Sequence, residues 1–202
     1  YCYILVFLLF SNVGKLNCCK MYGEVKDTFL YFAYGSNLFM KRIRINNPTA
    51  EFLGIGRLED HVLDFIKYSP NWRGASATIV PTEITGAHVW GAIWRINNKD
   101  MPALDQQEGV DTNWYFPKSV YVITPEFEKV KCRTYQQTEN PEPLKDDEEL
   151  PMERRPCITY LDIIIKGAIE CGIPPSYIEQ LKKIPNNGKE APPEMIDKLN
   201  KM

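Results

Sequence analysis

Three short stretches carry side chains whose types and spacing suit proton transfer. The first is Tyr31-Phe32-Ala33-Tyr34-Gly35-Ser36-Asn37. An apolar, aromatic run ends there in a glycine and two small polar residues, the pattern of a strand entering a tight turn and then a helix. Gly35 permits positive φ and lets a ligand approach the backbone closely. The N–H groups of such a turn point one way and favour an anion or a developing oxyanion. The second stretch is Leu104-Asp105-Gln106-Gln107-Glu108-Gly109-Val110. Glu108 falls at the end of an apolar-sided helix, where the helix dipole disfavours its charge. Partial desolvation of such a carboxylate raises its pKa from about 4.3 toward neutrality, which makes it a usable general base. The third is Tyr160, which starts a helix after a proline-rich, acidic segment and could cap a pocket with its hydroxyl. Taken singly, each has a plainer reading: a tight turn, an exposed helix-terminal carboxylate, a packed aromatic.

These residues need a scaffold that brings them together. Strand patterns are expected at 29–33, within 52–65, and at 75–81, 88–96, 115–123 and 129–136. Helical patterns are expected at 38–46, with Ser36-Asn37 as its cap, and at 99–108, stopped by Gly109. Two more are expected at 160–170, ending at Gly172, and at 177–184. Gly54-x-Gly56 lacks a third glycine and a following helix, so it reads as a bent strand and not a phosphate cradle. The segment 137–156, with four prolines and the run Asp146-Asp147-Glu148-Glu149, reads as a long solvated loop. Many strands, few helices and short connections predict an α+β domain built as a small, closed or nearly closed mixed β-barrel with flanking helices. The domain is expected over 21–185, followed by a polar C-terminal tail at 186–202.

The 202 residues include 24 Lys and Arg against 26 Asp and Glu, a net charge of −2. That leaves no basic field to hold nucleic acid, and Lys41-Arg42-Ile43-Arg44 reads as a solvated helix face. The six cysteines show no C-x2-C spacing, and His61 and His88 stand alone, so no metal site is expected. Cys132, Cys157 and Cys171, an odd set in the globular part, read as reduced thiols of a cytoplasmic protein. The apolar run 1–10 is too short to span a membrane. Residues 1–20 are expected to lie outside the fold, with Met21 opening the functional protein; a secretory leader is the alternative.

The three stretches together resemble the γ-glutamylcyclotransferases of the animal type. The resemblance runs from about 29 to 184 and rests on FAYGSNL at 32–38, VWGAIW at 89–94, LDQQEGV at 104–110, CRTY at 132–135, and Tyr160 followed by GIP and YIEQLKKI. YGSN followed by QEGV at this spacing is specific. Related γ-glutamylamine enzymes typically carry YGTL at the turn, and glutathione-specific ones GYGSL. The resemblance implies a substrate-binding loop made of Tyr31, Phe32, Ala33, Tyr34, Gly35 and Ser36. It implies Glu108 as proton acceptor and Tyr160 in the same pocket. It also implies a γ-glutamyl amino acid as substrate, 5-oxoproline as product, no cofactor, and a homodimer. Gln106 departs from an acidic residue often seen two places before the catalytic Glu, and the loop 137–156 is longer than usual. The alternatives are a cyclotransferase for γ-glutamylamines or glutathione, and a secreted binding protein that keeps the fold without the catalysis.

Overall fold

The computed structural model describes residues 21–144 and 148–200. The apolar leader, with Cys2, Cys18 and Cys19, and the Lys145–Asp147 part of the acidic run lie outside the described residues.

Five strands close a mixed barrel in the order β1 (Thr28–Ala33), β5 (His88–Asn97), β2 (Glu51–Glu59), β6 (Tyr115–Ile123) and β7 (Lys129–Gln137). Neighbours run antiparallel except where β7 returns beside β1 in parallel, with Tyr31 opposite Arg133. Closure leaves no unpaired edge between these strands. The aromatic and β-branched residues of β5 pack into the core on both faces of the strand: Ile93, Trp94 and Ile96 are fully buried, as is Phe32, and Tyr135 nearly so. At Gly91 a Cβ would lie 2.4 Å from the Ala33 carbonyl oxygen, so only glycine lets the end of β1 cross so closely. A separate antiparallel ribbon, β3 (His61–Ser69) and β4 (Gly74–Pro81), packs beside the barrel.

The helices flank one end. A 3-10 turn, Ser36–Leu38, leads into the short α1 (Met40–Arg44), and α2 (Met101–Gln107) follows β5. After β7 come α3 (Ile158–Glu170), α4 (Pro175–Lys182) and α5 (Pro193–Asn200). The α+β class and the mixed barrel with flanking helices thus stand as expected. Three local expectations do not. The helix expected at 38–46 is interrupted at Phe39, which is extended (φ −79°, ψ 120°), and Ser36 and Asn37 make no side-chain cap. The polar stretch after 186 contains α5, whose Met195, Ile196 and Leu199 are partly buried against the core. The basic run 41–44 is not simply solvated, because Arg42 and Ile43 are buried.

The segment 137–156 is tied down at its far end. Arg154 donates to both Asp64 carboxylate oxygens (2.7 and 2.6 Å), to the Glu142 carbonyl (2.9 Å) and to the Phe65 carbonyl (3.3 Å). This bidentate, mostly buried pair anchors the long connection to the β3 ribbon. Among the described residues no helix is long and apolar enough to cross a membrane.

Candidate active site

The three stretches singled out in the sequence meet at one end of the barrel. β1 delivers Tyr31 to the rim, and the chain turns through Tyr34-Gly35-Ser36 into the 3-10 turn. Leu38 and Phe39 N–H groups bond back to the Gly35 and Ser36 carbonyls (2.9 and 3.1 Å). The Ser36 and Asn37 N–H groups are left with no backbone or side-chain acceptor among the described residues. Gly35 does not use positive φ, contrary to expectation; its φ is −107°. Room is tight instead: a Cβ would lie 3.3 Å from the Tyr160 hydroxyl, which would have to give slightly, and in ordinary contact with the Ala77 methyl at 3.5 Å.

Glu108 caps α2 at its C-terminus, and Gly109 follows with φ +64°, the left-handed residue that stops the helix. The carboxylate oxygen Oε1 accepts from Asn37 Nδ2 (3.2 Å) and Gln107 Nε2 (3.1 Å), while Oε2 has no such donor among the described residues. Gln107 also donates to Asn37 Oδ1 (3.2 Å), and Asn37 donates to the Tyr31 hydroxyl (3.1 Å). Protein crowds the carboxyl on most sides, and burial raises its pKa from 4.5 to about 7. The nearby Arg42 charge and the Gln107 and Asn37 donors pull it part of the way back, and Asp105 adds a smaller push upward. At neutral pH the group is therefore split between its acid and base forms.

Tyr160 stands in the first turn of α3, its ring 4.8 Å from that of Trp72 and edge-on to Phe65. Its hydroxyl accepts the Ala77 N–H (3.2 Å), and the Tyr115 hydroxyl donates to the Ala77 carbonyl (2.6 Å). Two tyrosines thus hold the two peptide groups on either side of the Ala77 Cα in β4. Burial pushes Tyr160 up to about 12, so it stays a neutral donor. Tyr34 spends its proton on the Tyr135 carbonyl (2.6 Å). Tyr31 and Tyr160 accept a bond each and keep a hydroxyl proton free.

These groups line two joined spaces. An inner chamber of about 40 Å³ is bordered by Tyr31, Tyr34, Gly35, Asn37 and Tyr135. An outer cavity of about 360 Å³ is bordered by Arg42, Trp72, Gln107, Trp114, Met195 and Lys198. Ser36, Glu108, Tyr115 and Tyr160 border both. Of the residues expected in the substrate loop, Tyr31, Tyr34, Gly35 and Ser36 reach this site together with Glu108 and Tyr160. Phe32 and Ala33 do not; both are fully buried, on opposite faces of β1, and border neither chamber. Sequence reasoning missed Arg42, Gln107, Tyr115 and the α5 residues as parts of the site. Among the described residues no three His, Cys, Asp or Glu side chains gather as a metal ion would need.

A mixed barrel with a buried carboxylate at its rim and a glycine turn beside it defines a class. Residues 88–181 match the AIG2-like family. The bovine γ-glutamylcyclotransferase is 38% identical over 194 residues, covering 94% of this chain and 96% of its own. The mouse γ-glutamylcyclotransferase is 40% identical over 195 residues, covering 94% and 97%. A solved γ-glutamyl cyclotransferase superposes with a TM-score of 0.74 at 37% identity, over 87% of this chain and 99% of that one. The chain belongs to the γ-glutamylcyclotransferase family.

Proposed function

We infer that this chain is an enzyme of the family's own activity: it converts γ-glutamyl amino acids to 5-oxoproline and a free amino acid. The observation that carries the reading is Glu108, a carboxylate shifted to about 7 at the junction of two chambers, with one oxygen free of donors. The α-amine of the glutamyl group attacks its own γ-carbonyl carbon, and the amide C–N bond to the second amino acid breaks. Two protons leave the attacking nitrogen and two arrive on the departing one, so the reaction needs a carrier and no second substrate. Glu108, through Oε2, takes the two protons one at a time, from the ammonium before attack and from the ring nitrogen after it, and passes each to the leaving nitrogen. Such general acid–base transfer contributes about 10²–10⁴ in rate, and a pKa near the working pH is its optimum.

The attack is intramolecular, so the site's main task is to hold the substrate folded; orientation of this kind contributes several kcal/mol. The free N–H groups of Ser36 and Asn37 and the hydroxyl protons of Tyr31 and Tyr160 offer donors to the glutamyl carboxylate and the developing oxyanion. The small inner chamber suits the glutamyl head, and the outer cavity suits the amino acid that leaves. A cytoplasmic homodimer belongs to the same reading; Cys132, Cys157 and Cys171, free of disulfides, accord with a reducing compartment.

The test is to incubate the full chain with γ-glutamyl-alanine, γ-glutamyl-ε-lysine and glutathione, and to quantify 5-oxoproline. Release from the alanine dipeptide is expected. Release only from the lysine compound or glutathione would move the substrate class. No 5-oxoproline from any of the three, with folding verified, would sink the enzymatic reading.

A further inference from the structure

Arg42 is a buried cation with no ion-pair partner among the described residues; Glu108 acts on it only from beyond bonding distance. It lies on α1 and is 8% exposed. Its Nη1 donates to Gln107 Oε1 (3.1 Å), and its guanidinium carbon lies 5.9 Å from the centre of the Trp72 ring. Its Nε is buried with no acceptor. Among the described residues no carboxylate lies within ion-pair distance of Arg42, whereas the part-buried Arg133 and the buried Arg154 each pair with an aspartate at 2.6 Å. An arginine stays charged even when desolvated, and a buried charge without a partner is destabilising by several kcal/mol. A carboxylate seated against Arg42 would supply the charge partner and the Nε acceptor that the described residues do not.

The surroundings show which anion fits. Arg42 borders the outer cavity and not the inner chamber. Among the described residues the one other cation bordering the cavity is Lys198, and the one carboxylate is Glu108, which borders both spaces. A γ-glutamyl amino acid carries two carboxylates. That of the glutamyl head meets the turn N–H groups in the inner chamber. That of the second amino acid lies beyond the scissile amide, on the Arg42 side of Glu108. We propose that Arg42 binds the free carboxylate of the leaving amino acid and so selects substrates that present an anion there over uncharged γ-glutamylamides. The proposal rests on the cyclotransferase reading above.

The test compares γ-glutamyl-alanine with γ-glutamyl-alaninamide, which differ at that carboxylate alone, using the full chain, Arg42→Gln and Arg42→Lys. One hydrogen bond to a charged group corresponds to roughly 10- to 100-fold in kcat/KM, and the wild type is expected to favour the acid by about that ratio. Arg42→Gln is expected to bring the ratio close to one, mainly through KM for the acid. Arg42→Lys is expected to keep an intermediate ratio. Loss of Arg42 also removes a charge that acts on Glu108, which moves the acidic limb of both substrates alike; the ratio cancels that effect. A folded Arg42→Gln enzyme that keeps the wild-type ratio would overturn the proposal. Should Arg42→Gln not fold, an Arg42→Lys ratio equal to the wild type's, with alanine and alaninamide inhibiting the wild type equally, would overturn it as well. Equal turnover of both substrates by the wild type would remove the role of Arg42 and leave the cyclotransferase reading standing. No 5-oxoproline from either would overturn both.

Discussion

Glu108 illustrates what one residue's neighbours decide. The helix-ending Gly109 and the apolar side of α2 mark its position in the sequence, but its chemistry comes from Asn37, Gln107 and Arg42, two of them far away along the chain. Burial raises the folded pKa from 4.5 to about 7, so the native state holds a proton that the unfolded state has lost between those values. Stability therefore falls as pH rises from about 4.5 to about 7, and the full penalty stands above 7. Its upper bound is about 3 kcal/mol, and it is reduced because the cavity leaves part of Glu108 open to water. Glu108→Gln removes the penalty with the base. The variant is expected to lose about 10²–10⁴ in kcat and to unfold at a higher temperature than the wild type at pH 8, with little difference at pH 4. The wild-type kcat/KM should fall on the acid side with an apparent pKa near 7. Calorimetry at the two pH values checks the first expectation; an equal Tm difference at both would mean that the carboxyl is not desolvated in the native state.

At the scale of elements, the site depends on how α3 meets the turn after β1. The strand pattern of β1 and the helix of 99–108 are legible because periodicity and a C′ glycine act locally. The helix expected at 38–46 fails for a tertiary reason. Gly167 of α3 packs so closely that a Cβ there would lie 2.4 Å from the Phe39 nitrogen and 2.6 Å from the Leu38 carbonyl carbon. The backbone at Phe39 is extended where it meets α3, and local propensity yields to that contact. The same helix carries Tyr160 two turns earlier on the same face, so α3 touches both the tyrosine's site and the glycine turn. Gly167→Ala is expected to push the turn away from Tyr160. The loss in stability should be about 1–3 kcal/mol, as for other overpacked sites, with a fall in kcat although residue 167 borders neither chamber. Denaturant unfolding and steady-state rates check this. A Gly167→Ala enzyme with unchanged kcat would show that the turn keeps its geometry without that contact.

At the scale of the whole molecule, the site is assembled from residues 31 to 198, and here the sequence is least legible. The barrel supplies Tyr31 and Tyr115, the ribbon supplies Trp72 and Ala77, and α1, α2 and α3 supply Arg42, Glu108 and Tyr160. Motifs report the parts that lie within one turn of each other; they carry no information on which remote segments close the outer cavity. The polar composition after residue 186 hid α5 for this reason, since only Met195, Ile196 and Leu199 are partly buried and none of its residues is fully so. Yet Met195 and Lys198 form part of the cavity mouth. The chain is already held just before α5 by a bond from the Ala191 N–H to Thr159 Oγ1 (3.0 Å), and no residue of α5 borders the inner chamber. Removing residues 192–202 is therefore expected to leave a single cooperative unfolding transition, weakened by about 2 kcal/mol for the partly buried side chains lost. It should raise KM for γ-glutamyl-alanine severalfold and change kcat little, since the lost groups border the outer cavity and not the inner chamber. A truncated protein with unchanged KM would place the mouth of the cavity elsewhere, and one with kcat lowered as far as KM is raised would make α5 part of the reacting geometry.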